Sequence, residues 1–272
     1  RITDYLMDYN IDDIRLAYKS LGVCKGSIVL LKTDIRLLGI FKKSNNKDVL
    51  NAHFDALSDL IDLSVGTIVV STSSTYLANT DKEFDIFNTP SERGVLTEFI
   101  RKLPGAVRSL HPFHSYTAIG NQAKFIASDV SRHAFGFDTP EERMINAGAI
   151  CISVGLPVTA TCTTVHHVEF LIGVPYRYTK EFLHPILHIE KIHKEFFYMY
   201  VHYRECEINR NRGVKIFEEF YNQGYNVKEV SLGRGKVYSY SLSDFFKSTM
   251  VAFKKDIYVW LDNPPKTRPY RA

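Results

Sequence analysis

The chain has 272 residues, 45% hydrophobic and 24% charged, which suits one compact domain with a buried core and excludes a disordered, collagen-like or disulfide-stapled chain. Its 34 basic and 30 acidic residues leave a net charge of +4, too small a surplus to indicate nucleic acid but compatible with an anionic small ligand. The four cysteines, at 24, 151, 162 and 206, form no C-x-x-C pair and read as reduced thiols, pointing to the cytoplasm.

Residues 4–22 space apolar side chains at three and four and end at Gly22, predicting an N-terminal helix in place of a signal sequence. SIVLLKTD (27–34) predicts a strand, the pattern through Leu50, Phe54, Leu57 and Ile61 a helix closed by Gly66, and TIVVSTSS (67–74) a second strand. That order predicts an α/β fold with a central mixed, largely parallel sheet flanked by helices. A short helix at 96–103, a loop entering a helix near 121–128, and a third strand in GAICISVGL (148–156) follow. TTVHHVEFLI then predicts a short helix stopped by Gly173. From about 176 the charged, aromatic sequence predicts several short segments, closing on a helix capped by Ser241 or Ser243.

Residues 144–168 contain no Asp, Glu, Lys or Arg, but Pro157, Asn146, four Thr and two His argue against lipid. The segment reads as buried protein ending in chemistry, and no membrane association is expected. Thr163-x-x-His166-x-x-Glu169 sits at its end. On a helix, positions i, i+3 and i+6 fall on one face, so hydroxyl, imidazole and carboxylate can meet in one cavity. That is a general-base arrangement, in which a carboxylate sets the tautomer of an imidazole that titrates near neutrality. The plain alternative is a pair of histidines on a half-buried helix, one hydrogen-bonded in the core.

His111-Pro112-x-x-Ser115 followed by Thr117, Ala118 and Gly120 is a second cluster, with small residues that let a ligand approach the backbone. The junction Lys32-Thr33-Asp34-Ile35-Arg36 is the third. Read as strand passing into helix, it offers free N–H groups and a positive dipole end to phosphate. Neither G-x-x-x-x-G-K-[ST] nor G-x-G-x-x-G occurs, and no H-E-x-x-H or paired-Cys motif supports a metal. Cys162 or Cys151 with a histidine base would make a cysteine acyl enzyme, although both lie in apolar sequence where inert thiols are usual.

In order, Phe87-Asn88-Thr89-Pro90-Ser91-x-x-Gly94, Leu103-Pro104-Gly105-Ala106-x-Arg108-Ser109-x-His111-Pro112-x-x-Ser115-x-x-Ala118-x-Gly120, Phe135-Gly136, Thr139-Pro140-Glu141 and Thr163-x-x-His166-x-x-Glu169 resemble the aminoglycoside 3-N-acetyltransferase family. The resemblance is good over about 25–175 and loose beyond. It implies the antibiotic N-acetyltransferase fold, distinct from the classical GNAT acetyltransferases, as a single domain over 1–272 with a divergent acceptor-binding portion at about 176–272. It also implies transfer of an acyl group, acetyl or another short chain such as hydroxyacyl, from a coenzyme A thioester to an amino sugar within a ternary complex, without a metal.

By that resemblance His166 is the base, Glu169 its orienting partner, and Thr163 and Ser115 hold the thioester carbonyl or the reacting groups. Lys32, Thr33, Asp34, Ile35 and Arg36, with Ser109 and His111, bind coenzyme A. Departures from the family pattern are Cys162-Thr163 in place of Asn-Thr, His167 in place of an aliphatic residue, and Lys32-Thr33-Asp34 in a loop usually rich in Ser and His.

The net charge and Arg177, Arg204, Arg210, Arg212, Arg234 and Lys236 favour a dTDP- or UDP-linked amino sugar for a surface glycan over a polycationic aminoglycoside, whose acetylation would confer antibiotic resistance. The partners expected are thus an acyl-CoA and a small amino sugar, with homo-oligomerisation left open. A coenzyme- or sugar-binding protein without activity is the non-enzymatic alternative.

Overall fold

The computed structural model describes residues 8–42, 48–211 and 213–271. Residues 4–7 of the expected first helix, and Arg212, lie outside them. The elements in chain order are α1 (Ile11–Ser20), β1 (Ile28–Thr33), α2 (Val49–Ile61), β2 (Thr67–Ser71), β3 (Phe84–Asp85), α3 (Val95–Arg101), β4 (Val107–Arg108), β5 (Tyr116–Gly120), α4 (Ala123–Ala127), α5 (Pro140–Asn146), β6 (Ile150–Val154), α6 (Thr164–Ile172), β7 (Arg177–His188), β8 (Lys191–His202), α7 (Val214–Asn222), β9 (Lys228–Leu232), β10 (Gly235–Ser241) and α8 (Leu242–Lys255).

Local chemistry explains most boundaries. Asn10 caps α1 by accepting from the N–H groups of Asp12 and Asp13, and Asp13 returns the bond to Asn10. Ser241, one of the two serines expected to cap the last helix, accepts from Asp244 N–H. α2 ends at Ile61 with Asp62 in a left-handed conformation, four residues before the glycine expected to close it.

Among the described residues, strands pair in the order β4-β5-β2-β1-β6-β10-β9. β2, β1 and β6 run parallel, and the outer strands attach antiparallel. The central strands are aliphatic on both faces because both are covered. Val29 and Leu31 face α1, α2 and α3, whereas Ile28 and Leu30 face α4 through α8. Each such side chain, fully buried, contributes about 1.5–3 kcal/mol. No helix among the described residues is long and apolar enough to cross a membrane.

This topology places a site. From β1 the chain crosses through α2 to β2 on one side, and β6 returns on the other. The crevice beyond the carboxyl end of β1 is therefore a switch point, where open α/β sheets bind ligands. Residues 35–38 there form a single 3-10 turn, not the expected helix. The Asp34 carboxylate accepts from Arg36 N–H at 3.3 Å and pairs with the Arg36 guanidinium at 2.7 Å, so one of the N–H groups assigned to phosphate is already bonded.

The turn after β6 packs on the same junction. Gly155 has φ 77°, and a Cβ there would come within 2.3 Å of the Asp34 carbonyl oxygen. Gly155→Ala is expected to cost about 1–3 kcal/mol through strain and displaced backbone, measurable as a lower thermal midpoint.

The region beyond residue 176 departs most from expectation. Instead of several short segments, β7 and β8 form a hairpin of twelve residues per strand, with β3 beside β7. Its two-residue turn, Ile189-Glu190, has positive φ at both positions, a geometry usually signalled by Asn-Gly or Asp-Gly. With neither signal, and with Pro185 inside β7, the pattern reads as broken.

Candidate active site

α6 begins at the switch-point crevice and ends at Gly173, whose φ of 69° closes the helix. Thr163 precedes the first turn and His166 lies within it. The His166 Nδ1 is 2.6 Å from Oε2 of Glu169, one turn on. Glu169 is fully buried. Its Oε1 accepts from the Tyr176 hydroxyl at 2.7 Å, and its Oε2 from Arg177 Nη2 at 2.9 Å. Arg177 is the first residue of β7, and its Nη1 also donates to the Tyr200 carbonyl, so the root of the hairpin locks onto the helix.

This network sets the charge states. Burial pushes the Glu169 carboxyl up, but the hydrogen bond and charge of His166, the charge of Arg177 and the Tyr176 hydroxyl outweigh it and hold the carboxyl at about 2. Burial lowers the His166 imidazole below its ordinary value, with Arg177 and Arg210 acting in the same direction and Glu169 opposing them. A neutral imidazole whose Nδ1–H points at a carboxylate carries its lone pair on Nε2. The imidazole keeps 20% of its side-chain area exposed, in a cavity of about 580 Å³ that Thr163, Cys162, Trp260, Arg210 and Asp262 also line. Trp260 meets the His166 ring edge-on at 5.5 Å.

The other expected site residues divide. Lys32 donates to the Thr163 hydroxyl at 2.7 Å, which brings the end of β1 to the start of α6. Thr33 is half-buried, Ile35 is buried and Arg36 exposed. Ser115 is fully buried, and its hydroxyl donates to the Thr72 carbonyl while accepting from Arg108 Nε. Ser109 Oγ accepts from Tyr116 N–H. The His111 Nδ1 accepts from His114 N–H, and burial pushes its imidazole down to about 3. Ser109, His111 and Ser115 thus hold the loop before β5 and do not line the His166 cavity.

Cys162, the alternative nucleophile, is 4% exposed and bonded to the Thr159 carbonyl, and burial raises its thiol to about 12. Such a thiol is protonated near neutrality and is a poor nucleophile.

Sequence reasoning gave no site role to Tyr176, Glu141, Trp260 or Asp262. Glu141 is fully buried, and its carboxylate accepts from the Tyr116 hydroxyl at 2.6 Å and from the Thr164 hydroxyl, anchoring the first turn of α6. Two of the four lay in family matches, Glu141 in Thr139-Pro140-Glu141 and Tyr176 in the looser Val174-Pro175-Tyr176-Arg177, neither of which assigned them a role.

A model of the aminoglycoside 3-N-acetyltransferase family matches residues 30–254. Aminoglycoside N(3)-acetyltransferase III of Pseudomonas aeruginosa is 25% identical over 186 residues, 63% of this chain and 67% of that protein. Aminoglycoside N(3)-acetyltransferase VII of Streptomyces paromomycinus is 36% identical over 98 residues, 35% of this chain but only 33% of that protein. The solved structure of AAC-IIIb as a binary complex with CoASH aligns with a TM-score of 0.76 at 18% identity, covering 91% of this chain and 97% of that one.

These findings overturn the nucleotide-linked acceptor, since the family and the relatives are named for aminoglycosides and nothing points to sugar-nucleotide chemistry. The +4 surplus of the chain is not the charge of its cleft. Arg177 is met by buried Glu169 and Lys236 pairs with Glu229 at the surface, and among the described residues Arg210 alone of the cited cations lines the His166 cavity. From the matched span, the motifs that carry it and the shared fold, we conclude that the chain belongs to the aminoglycoside 3-N-acetyltransferase family.

Proposed function

We propose that this chain transfers the acetyl group of acetyl-CoA to an amino group of an aminoglycoside, with His166 as general base. The observation that carries the reading is the His166–Glu169–Arg177 network: a neutral imidazole, oriented through Nδ1, that presents Nε2 to a cavity able to hold part of two substrates. Nε2 takes a proton from the acceptor ammonium or from the attacking amine. Glu169 stays ionised throughout and stabilises the imidazolium, while Arg177 and Tyr176 keep the carboxylate from turning away. Membership of a family named for this reaction supports the same reading, as does the coenzyme A complex of a protein with the same fold.

The test is thiol release from acetyl-CoA in the presence of an aminoglycoside panel, with the product acetylated at N3 identified by NMR. Turnover with acetylation at N3 is expected, and no thiol release with any aminoglycoside would refute the reading. Cys162→Ala is expected to keep wild-type turnover. A covalent cysteine route predicts its loss, with acetyl-enzyme visible by mass spectrometry.

A further inference from the structure

Lys32 is the second-last residue of β1, and the strand's alternation puts it on the same face as Leu30, toward α6. It is half-buried, and its Nζ donates to Thr163 Oγ1 at 2.7 Å. Among the described residues none brings a carboxylate within ion-pair distance of it, unlike Arg177 and Arg36, whose charges are met. An ammonium has three donors, so two remain beyond the one given to Thr163. Thr163 and His166, three residues apart, line the same cavity, and Lys32, set directly behind, meets it at the Thr163 hydroxyl. A cation partly withdrawn from water, with one neutral partner, calls for an anion that the folded chain does not supply.

We propose that Lys32 is a catalytic residue, whose ammonium, steadied by Thr163, holds the thioester carbonyl oxygen as it becomes an oxyanion. The inference rests on the acetyl-transfer reading and reassigns Lys32 from the phosphates of coenzyme A to its reacting end. The phosphates lie at the far end of the pantetheine arm from the thioester, so one ammonium beside Thr163 serves the reacting end alone.

The acceptor nitrogen forms a C–N bond with the acyl carbon, and the carbonyl π pair moves onto oxygen beside Lys32. His166 Nε2 takes the nitrogen's proton. The oxyanion then re-forms C=O and the C–S bond breaks. The electron pair leaves on sulfur, which takes the proton back from His166, giving amide and thiol. A fixed charge at a developing oxyanion in a sheltered site contributes about 10²–10³-fold to the rate.

The experiment compares wild type, Lys32→Met and Lys32→Arg with two thioesters, acetyl-CoA and acetyl-pantetheine, the second carrying no phosphate chain beyond the arm. Lys32→Met is expected to lower kcat by about 10²–10³-fold on both, with acceptor KM, CoA affinity by calorimetry and thermal midpoint unchanged, and Lys32→Arg to recover part of the rate. Should Lys32→Met fail to fold, Lys32→Gln takes its place. An effect confined to the KM of acetyl-CoA and absent with acetyl-pantetheine would place Lys32 on the phosphates and overturn the proposal. Unchanged turnover on both thioesters overturns it as well. Wild type inactive with every aminoglycoside removes the acetyl-transfer reading and the Lys32 role with it, whereas active wild type with an indifferent Lys32→Met removes Lys32 alone.

Discussion

His166→Ala is expected to lower kcat by about 10²–10⁴-fold, the range that a positioned general base contributes, with little loss of stability because the imidazole is partly open to the cavity. The pH profile carries the sharper information. A base must be neutral to act, and burial, Arg177 and Arg210 hold the imidazole below its ordinary value against the pull of Glu169. The acid limb of kcat/KM should therefore lie below the ordinary histidine value of about 6.5, with the plateau reached by neutrality. Arg210→Ala removes one of the lowering charges, so the acid limb should move to higher pH. A limb that stays put, or moves down, would show that another group titrates.

Glu169→Gln is expected to be the most destabilising single change at the site. It leaves the Arg177 guanidinium buried without its anion, and breaking a buried ion pair from one side typically costs about 3–5 kcal/mol. In a domain of this size that corresponds to roughly 10 °C in thermal midpoint. The pH dependence has a definite sign. The carboxyl is held at about 2, below its unfolded value of 4.5. Its contribution, about 3 kcal/mol, is complete above pH 4.5 and is lost as pH falls toward 2. Wild type should lose more stability across that window than Glu169→Gln, in which Asp62 and Glu98, also held low by their partners, still titrate, by urea unfolding at a series of pH values. Equal pH dependence in both proteins would mean that Glu169 is not the titrating group. The same substitution removes the charge that raises the His166 imidazole, so the acid limb of any remaining activity should shift to lower pH.

Reading the fold from sequence succeeded where periodicity is strong. β1, β2 and β6 are aliphatic runs bounded by turn residues, and α2, α6 and α8 have either a clear apolar face or a clear stop. It failed at the β7–β8 hairpin, where Pro185 and alternating charge hide two long strands and the turn lacks its usual residues. It failed also at 35–38, where a strand exit reads as a helix start but the Asp34–Arg36 pair closes a single turn.

By itself the sequence determined an α/β chain with parallel central strands, a family likeness carried by spaced motifs, and a turn of helix on which Thr163, His166 and Glu169 fall together. These are local properties, set by periods of 2 and 3.6 residues and by caps and stops a few positions away. The tertiary structure alone decided what surrounds that turn. Arg177 reaches Glu169 because the hairpin roots beside α6, and Lys32 reaches Thr163 across 131 positions because β1 and β6 pair in parallel and aim their ends at one crevice. Trp260 and Arg210 close the cavity from the far end of the chain. It decided as well that the hydroxyls of Ser109 and Ser115 and the Nδ1 of His111, motif residues in the sequence, bond inside the fold. The charge a substrate meets depends on which cations have found a carboxylate, and that pairing is a property of packing, which composition does not record.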